Sequence, residues 1–194
     1  MKRKAEEDDA PLRQIFNDVS RSAGEAAEHV SFAELESTMY KRRCRAQPQL
    51  PSSPSDADAI VRNSRYAELD GGTFYRGLVN ADAHGSALIF ASDRQLQQLK
   101  SATSVFFDAT FKVVPHIYYQ LFTIIVPHAD YAFPALYALM SRKTQSLNAA
   151  VFEKVSQLVP SFTPLYAMAD FEEAPVATFK SVYVDANVAG CVDD

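Results

Sequence analysis

The chain has 194 residues, 47% hydrophobic and 22% charged, enough to fold and bury a sizeable core. Its 19 Lys+Arg against 24 Asp+Glu give a formal net charge of -5, which excludes a histone-like electrostatic nucleic-acid binder but not a nuclease, whose site is itself acidic. Cys44 and Cys191 lie far apart with no Cys-x-x-Cys spacing, against a disulfide framework or a cysteine-built zinc site. No apolar run reaches membrane-spanning length, and Met1–Asp9 is too charged for a signal peptide. An intracellular protein, nuclear or cytoplasmic and without a membrane partner, is therefore expected.

Basic and acidic residues balance over 1–65, where the aromatics are Phe16, Phe32 and Tyr40; the net negative charge falls in 66–194. Pro48, Pro51 and Pro54, interleaved with Ser52, Ser53 and Ser55, read as a linker-like stretch. Before it stands Lys41-Arg42-Arg43-Cys44-Arg45, either a nuclear-import or phosphate-contacting patch or a solvated piece of an arm. The expected organisation is an arm over 1–65, largely disordered or loosely helical, and a folded domain over 66–194.

Ser86–Ala91 reads as a short strand, and Ser92-Asp93-Arg94-Gln95 as a capping box opening a short helix with Leu96 and Leu99 on its apolar face. Thr103–Val114 alternates with period 2: Val105, Phe107, Ala109, Phe111 and Val113 on one face, and polar groups at the middle of the other. Tyr118–Val126 is almost wholly apolar, as in a buried strand. Ala132–Met140 is a third strand of the same meander, and Pro134 within it favours a sheet edge. A helix follows, with Leu147, Ala150, Val151, Val155 and Leu158 at helical spacing. Leu165–Ala169 is a fourth strand, and Glu172–Pro175 opens a second helix. The order β-β-β-α-β-α makes an α/β fold with a mixed sheet. A right-handed crossover then places the fourth strand parallel to the first.

Two aspartates carry the candidate chemistry. Asp108 sits mid-strand in an apolar run, where an ionised carboxylate is costly unless neutralised. Asp170 ends the fourth strand. If the two strands are neighbours, both carboxylates meet at one sheet end, where a hard cation such as Mg²⁺ or Mn²⁺ would relieve their repulsion. The other reading pairs Asp108 with Thr110 or Lys112 and leaves Asp170 capping a helix. His29, His84, His116 and His128 make no i, i+4 metal pair, and no Gly-Lys-Ser or Gly-Lys-Thr phosphate loop is present. The aromatics between 106 and 137 read as core or as base-stacking platforms.

Phe106-Phe107-Asp108-Ala109-Thr110-Phe111-Lys112-Val113-Val114-Pro115 resembles the first catalytic block of Mutator-like element (MULE) transposases. Tyr118–Ile124, Tyr137–Thr144 and Ala169-Asp170-Phe171-Glu172 resemble that family's following segments, in order, so the resemblance spans about 74–184. It implies an RNase H-like core and a DDE-type site in which Asp108 and Asp170 are catalytic and bind Mg²⁺ or Mn²⁺. It further implies DNA, at transposon ends, as the partner of Lys112, Arg142 and Lys143.

The departures set further expectations. Ala109 stands where the family usually has Gly. Gly190-Cys191 is followed by Val192-Asp193-Asp194, with no His. The third carboxylate and the final strand of the fold are expected to be missing, leaving an incomplete RNase H-like fold. The edge beside the fourth strand would then be open to homo-oligomerisation. Such a chain is expected to be a truncated, inactive transposase relative, or else a non-enzymatic DNA-binding or protein-interaction module. Lys41–Ala46 is similar to the end of a FLYWCH zinc finger, but its other ligands are not in place, so no zinc is expected.

Overall fold

The computed structural model describes residues 1–24, 29–47, 49–111, 113–128, 131–169 and 173–190. It divides into two compact units, Met1–Leu50 and Pro51–Asp194. The boundary thus falls between Leu50 and Pro51, not after residue 65.

The first unit holds helices α1 (Lys2–Glu7), α2 (Leu12–Ala23) and α3 (Phe32–Ala46). Ser31 starts α3 with a capping box: its Oγ accepts from the Glu34 amide, and the Glu34 carboxylate accepts from the Ser31 amide. The Ser31 amide and the Ser31 hydroxyl both donate to the Glu34 carboxylate, and these bonds to the charged form hold it below its ordinary range. Ala5, Ile15 and Met39 are buried, with Leu12, Phe16, Val19 and Leu35 packed around them. The end of α1 leaves backbone carbonyls without helical donors. The Arg43 guanidinium satisfies that region, donating to the carbonyls of Ala5, Asp8 and Ala10 at 3.2, 2.9 and 2.7 Å. Within the basic cluster, Arg43 is therefore a structural clamp and Arg42 pairs with Glu6 at 3.1 Å. Lys41 and Arg45 are exposed.

The second unit begins with α4 (Pro54–Arg62), capped by Ser53 with Pro54 in the first turn, where no intrahelical donor is needed. The strands β1 (Glu68–Leu69) and β2 (Gly72–Thr73) form a small hairpin. After it come β3 (Tyr75–Asn80), β4 (Ser86–Phe90), α5 (Asp93–Ser101), β5 (Ser104–Thr110), β6 (Gln120–His128) and β7 (Tyr131–Met140). The chain continues through α6 (Gln145–Leu158), β8 (Tyr166–Ala169), α7 (Glu173–Val182) and β9 (Asn187–Gly190). Among the described residues the main sheet has the order β3-β4-β7-β6-β5-β8-β9. Its pairs are antiparallel except β5–β8 and β8–β9, which are parallel. The α/β class, the three-strand meander and the crossover to a parallel neighbour all stand as the sequence implies. The capping box at Ser92 and Gln95 also forms.

Two expectations are corrected. Pro134 does not mark an edge strand, because β7 lies between β4 and β6. The proline is accommodated because β4 reaches only as far as Tyr137, so the Pro134 side of β7 has no strand partner to miss its amide. A register shift at Ile124/Ile125 also lies opposite Pro134, and Gln95 Nε2 donates to the Pro134 carbonyl at 2.8 Å. Nor is the strand beside β8 missing: Asn187–Gly190 pairs with Tyr166–Ala169 in parallel and occupies that edge.

Alternation along β4 separates the core faces: Ala87 and Ile89 join one cluster, Leu88 another. In the larger cluster Phe107 stacks on Phe122 and meets Phe152 of α6 and Phe179 of α7, with ring centres 5.8, 5.3 and 4.8 Å away. On the other face Ala57 of α4 packs with Tyr75, Leu88 and Tyr118.

Candidate active site

The site is assembled at the sheet end where β5 and β8 finish, β6 begins and β7 ends. The registers Thr110↔Leu121, Phe107↔Ala169 and Gln120↔Met140 place these termini together. The buried rings of Phe107 and Phe122 fix the central strand pair beneath it. A depression at this end is lined by Phe107, Asp108, Ala109, Phe111, Phe122, Ala169 and Pro175.

Asp108 is exposed, so the desolvation cost expected of a buried carboxylate does not arise. Its neighbour Phe107 is buried because alternation sends successive side chains to opposite faces. Thr110 Oγ1 donates to Asp108 Oδ2 at 3.0 Å, one of the two partners considered for it. The other, Lys112, and the second aspartate, Asp170, lie outside the described residues. The parallel ladder is described as far as Phe107↔Ala169, and Asp108 and Asp170 are the residues that follow this pair in the sequence.

Arg142 and Lys143 are exposed in the connection between β7 and α6. That connection is held from several sides. Ser141 N donates to the Ser86 carbonyl, Ser86 N to Ser141 Oγ, and Thr144 Oγ1 to the His84 carbonyl. Thr144 also caps α6, accepting from the Leu147 amide. Gly85 permits the close approach. Its φ is 111°, and a Cβ there would stand 2.9 Å from Ser141 Oγ and 3.1 Å from Arg142 Cβ.

The chain of basic and aromatic groups continues beyond what the sequence indicated. The first strand of the meander stops at Thr110, four residues short of its expected end, because β6 supplies no ladder partner beyond Leu121↔Thr110. Phe111 is thereby released from the core, at 41% exposure, and Val113 at 66%. Tyr119, tied to the end of β7 through its amide to the Met140 carbonyl, is 52% exposed. Its ring meets that of Phe111 edge-on, centres 5.6 Å apart, and Lys143 Nζ lies 5.7 Å from the Phe111 centre. The polar residues flanking these aromatics and the Pro115 break were the available signal for that release.

An exposed carboxylate offers hard oxygen donors suited to Mg²⁺ or Mn²⁺. Among the described residues, no three His, Cys, Asp or Glu gather as a metal cluster. None of the described helices is long and apolar enough to cross a membrane.

A mixed α/β sheet with a solvent-facing carboxylate near the end of the interior strand β5 defines the architecture. Residues 104–193, just under half of the chain, match the family model of the MULE transposase domain. Comparison with curated proteins and with solved structures gives no match.

Proposed function

We propose that this domain is an RNase H-like, DDE-type unit derived from a DNA transposase, with Asp108 and Asp170 as the carboxylates that hold Mg²⁺ or Mn²⁺. The carrying observation is the parallel β5–β8 ladder: Asp108 and Asp170 immediately follow its last described pair, Phe107↔Ala169, in sequence. The meander followed by a crossover strand parallel to its first strand supports the same fold.

In this reading a bound divalent ion supplies positive charge for the phosphodiester oxygens and promotes the attacking oxygen's deprotonation. The chain's own residues prepare the place. Thr110 orients Asp108 by its bond to Oδ2. The Phe107–Phe122–Phe152–Phe179 ring cluster keeps the strand end rigid. Exposed Arg142 and Lys143 attract the DNA backbone. A DDE-type site uses three carboxylates and this reading assigns two, so the assigned pair is expected to bind the ion without turning over DNA.

Mn²⁺ titration followed by electron paramagnetic resonance tests the reading. Binding should be present in the native chain and lost in Asp108→Asn and in Asp170→Asn. Binding unchanged in Asp108→Asn would overturn the site. A parallel incubation with labelled DNA bearing terminal inverted repeats should yield no cleavage. Cleavage by the native chain, abolished in Asp170→Asn, would show that another acidic residue completes the set.

A further inference from the structure

We propose that Phe111 and Tyr119, flanked by Lys143 and Arg142, form a stacking platform for unpaired bases of a DNA strand brought to Asp108. The proposal rests on the transposase reading above and names the form of DNA that the site accepts.

Large aromatic side chains at a strand end are ordinarily drawn into the core, and here most are. Phe107, Phe122, Phe152 and Phe179 are nearly inaccessible. Phe111 and Tyr119 are the exceptions nearest the candidate carboxylate, at 41% and 52% exposure. Phe111 and Asp108 line the same depression. The T-shaped contact between the two rings holds them as one unit rather than as two independent side chains.

Charge selects the occupant. Exposed Lys143 borders the aromatic pair, its Nζ 5.7 Å from the Phe111 ring centre, and exposed Arg142 precedes it in the same connection. The rings stand nearly perpendicular, so each offers its own face, and a π face with a cationic margin matches a nucleobase with its phosphate. Bases inside a duplex have both faces covered by their neighbours, so a platform of this kind selects nucleotides that have left the stack. The anchoring of the Arg142–Thr144 connection by Gly85, Ser86 and His84 means that the cations are positioned by backbone contacts before any DNA arrives.

The chain contains no tryptophan, so Phe111→Trp introduces a single fluorescent reporter. The probe is a mixed-sequence DNA oligonucleotide of about a dozen nucleotides, a length in the range such surfaces cover. It is used single-stranded and as a blunt duplex, with EDTA present. Quenching is expected with the single strand and not with the duplex. Tyr131→Trp, exposed at the far end of the β6–β7 hairpin, should show none. In the otherwise native chain Tyr119→Ala should weaken single-strand binding roughly tenfold, and Tyr119→Phe should retain it. Absence of quenching, equal quenching in Tyr131→Trp, or equal binding of the duplex would overturn the platform. Mn²⁺ binding without quenching overturns the platform alone. Quenching without Mn²⁺ binding keeps the platform and overturns the metal-site reading.

Discussion

Met1–Leu50 buries Ala5, Ile15 and Met39, whereas the sheet of Pro51–Asp194 gathers phenylalanines from two strands and two helices into one continuous cluster. The first unit makes up for its small core with directional bonds. It has a capping box at Ser31, an Arg13 guanidinium 4.4 Å from the Phe32 ring centre, and a second guanidinium on three carbonyls. The second relies on area removed from water, which scales with the number of rings it can bring together. The lesson is that each unit should fail through a different kind of residue: a charge in one, a ring in the other.

The most damaging change should be Phe152→Ala, which removes a fully buried ring that touches Phe107, Phe122 and Phe179. A loss of about 3–5 kcal/mol is expected for such a truncation. Urea unfolding followed by tyrosine fluorescence should show it in the second unit, and a loss under about 1 kcal/mol would contradict the packing described.

Next comes Arg43→Ala, expected to cost the first unit about 1.5–3 kcal/mol because three backbone carbonyls lose a charged donor. Circular dichroism should report lost helix. Limited proteolysis should become faster and leave a fragment beginning near Pro51. A fragment beginning near residue 65 would instead place Pro54–Arg62 with the first unit, against the division described.

Within the second unit, Ser92→Ala should cost about 1 kcal/mol through loss of the cap on α5. Thermal melting would register it, and no shift would mean that Gln95 holds the helix start through its bonds to the residue 92 amide and the Pro134 carbonyl.

The smallest effect has the opposite sign. The Tyr118 hydroxyl is buried without a hydrogen-bond partner among the described residues, so Tyr118→Phe should leave neutral-pH stability unchanged or raise it by up to about 1 kcal/mol. Burial pushes the Tyr118 phenol up to about 12. Burial, followed by its bond to Asp58 at 2.6 Å, drives that of Tyr75 well above the ordinary range. Both raised values favour the neutral form in the folded state. Their stabilisation is therefore complete below about pH 10, where an unfolded tyrosine begins to ionise, and declines as pH rises toward the folded values. Tyr118→Phe should flatten part of that alkaline decline. A variant that steepens it would show that the hydroxyl has a stabilising partner.

Much of this architecture was legible from period-2 patterning. Val105 and Phe107 against Asp108 gave β5, and Ser92 with Gln95 gave a helix start. What escaped was decided by partners rather than by local pattern. Phe111 and Val113 continue the alternation of β5, yet no ladder reaches them. β3 was hidden because Gly77, at φ 110°, sits at a register shift that breaks the alternation. Asn187–Gly190 has little intrinsic strand character and extends because Tyr166–Ala169 offers it an edge. At the site, Asp108 could be named from its neighbours, but not its exposure. That depends on which sheet face the helices cover.

The parallel pairing of β5 with β8 also has a bearing on how the chain folds. β5, β6 and β7 can associate through short connections, whereas Leu165 and Tyr166 reach the Thr103 carbonyl only after the meander and α6 have been traversed. Closing that longer loop costs more chain entropy before any contact repays it. The meander should therefore form first, and β8 should be the late arrival. Ala167→Gly would then speed unfolding while leaving the refolding rate nearly unchanged, so the sheet end that carries Asp108 is completed last.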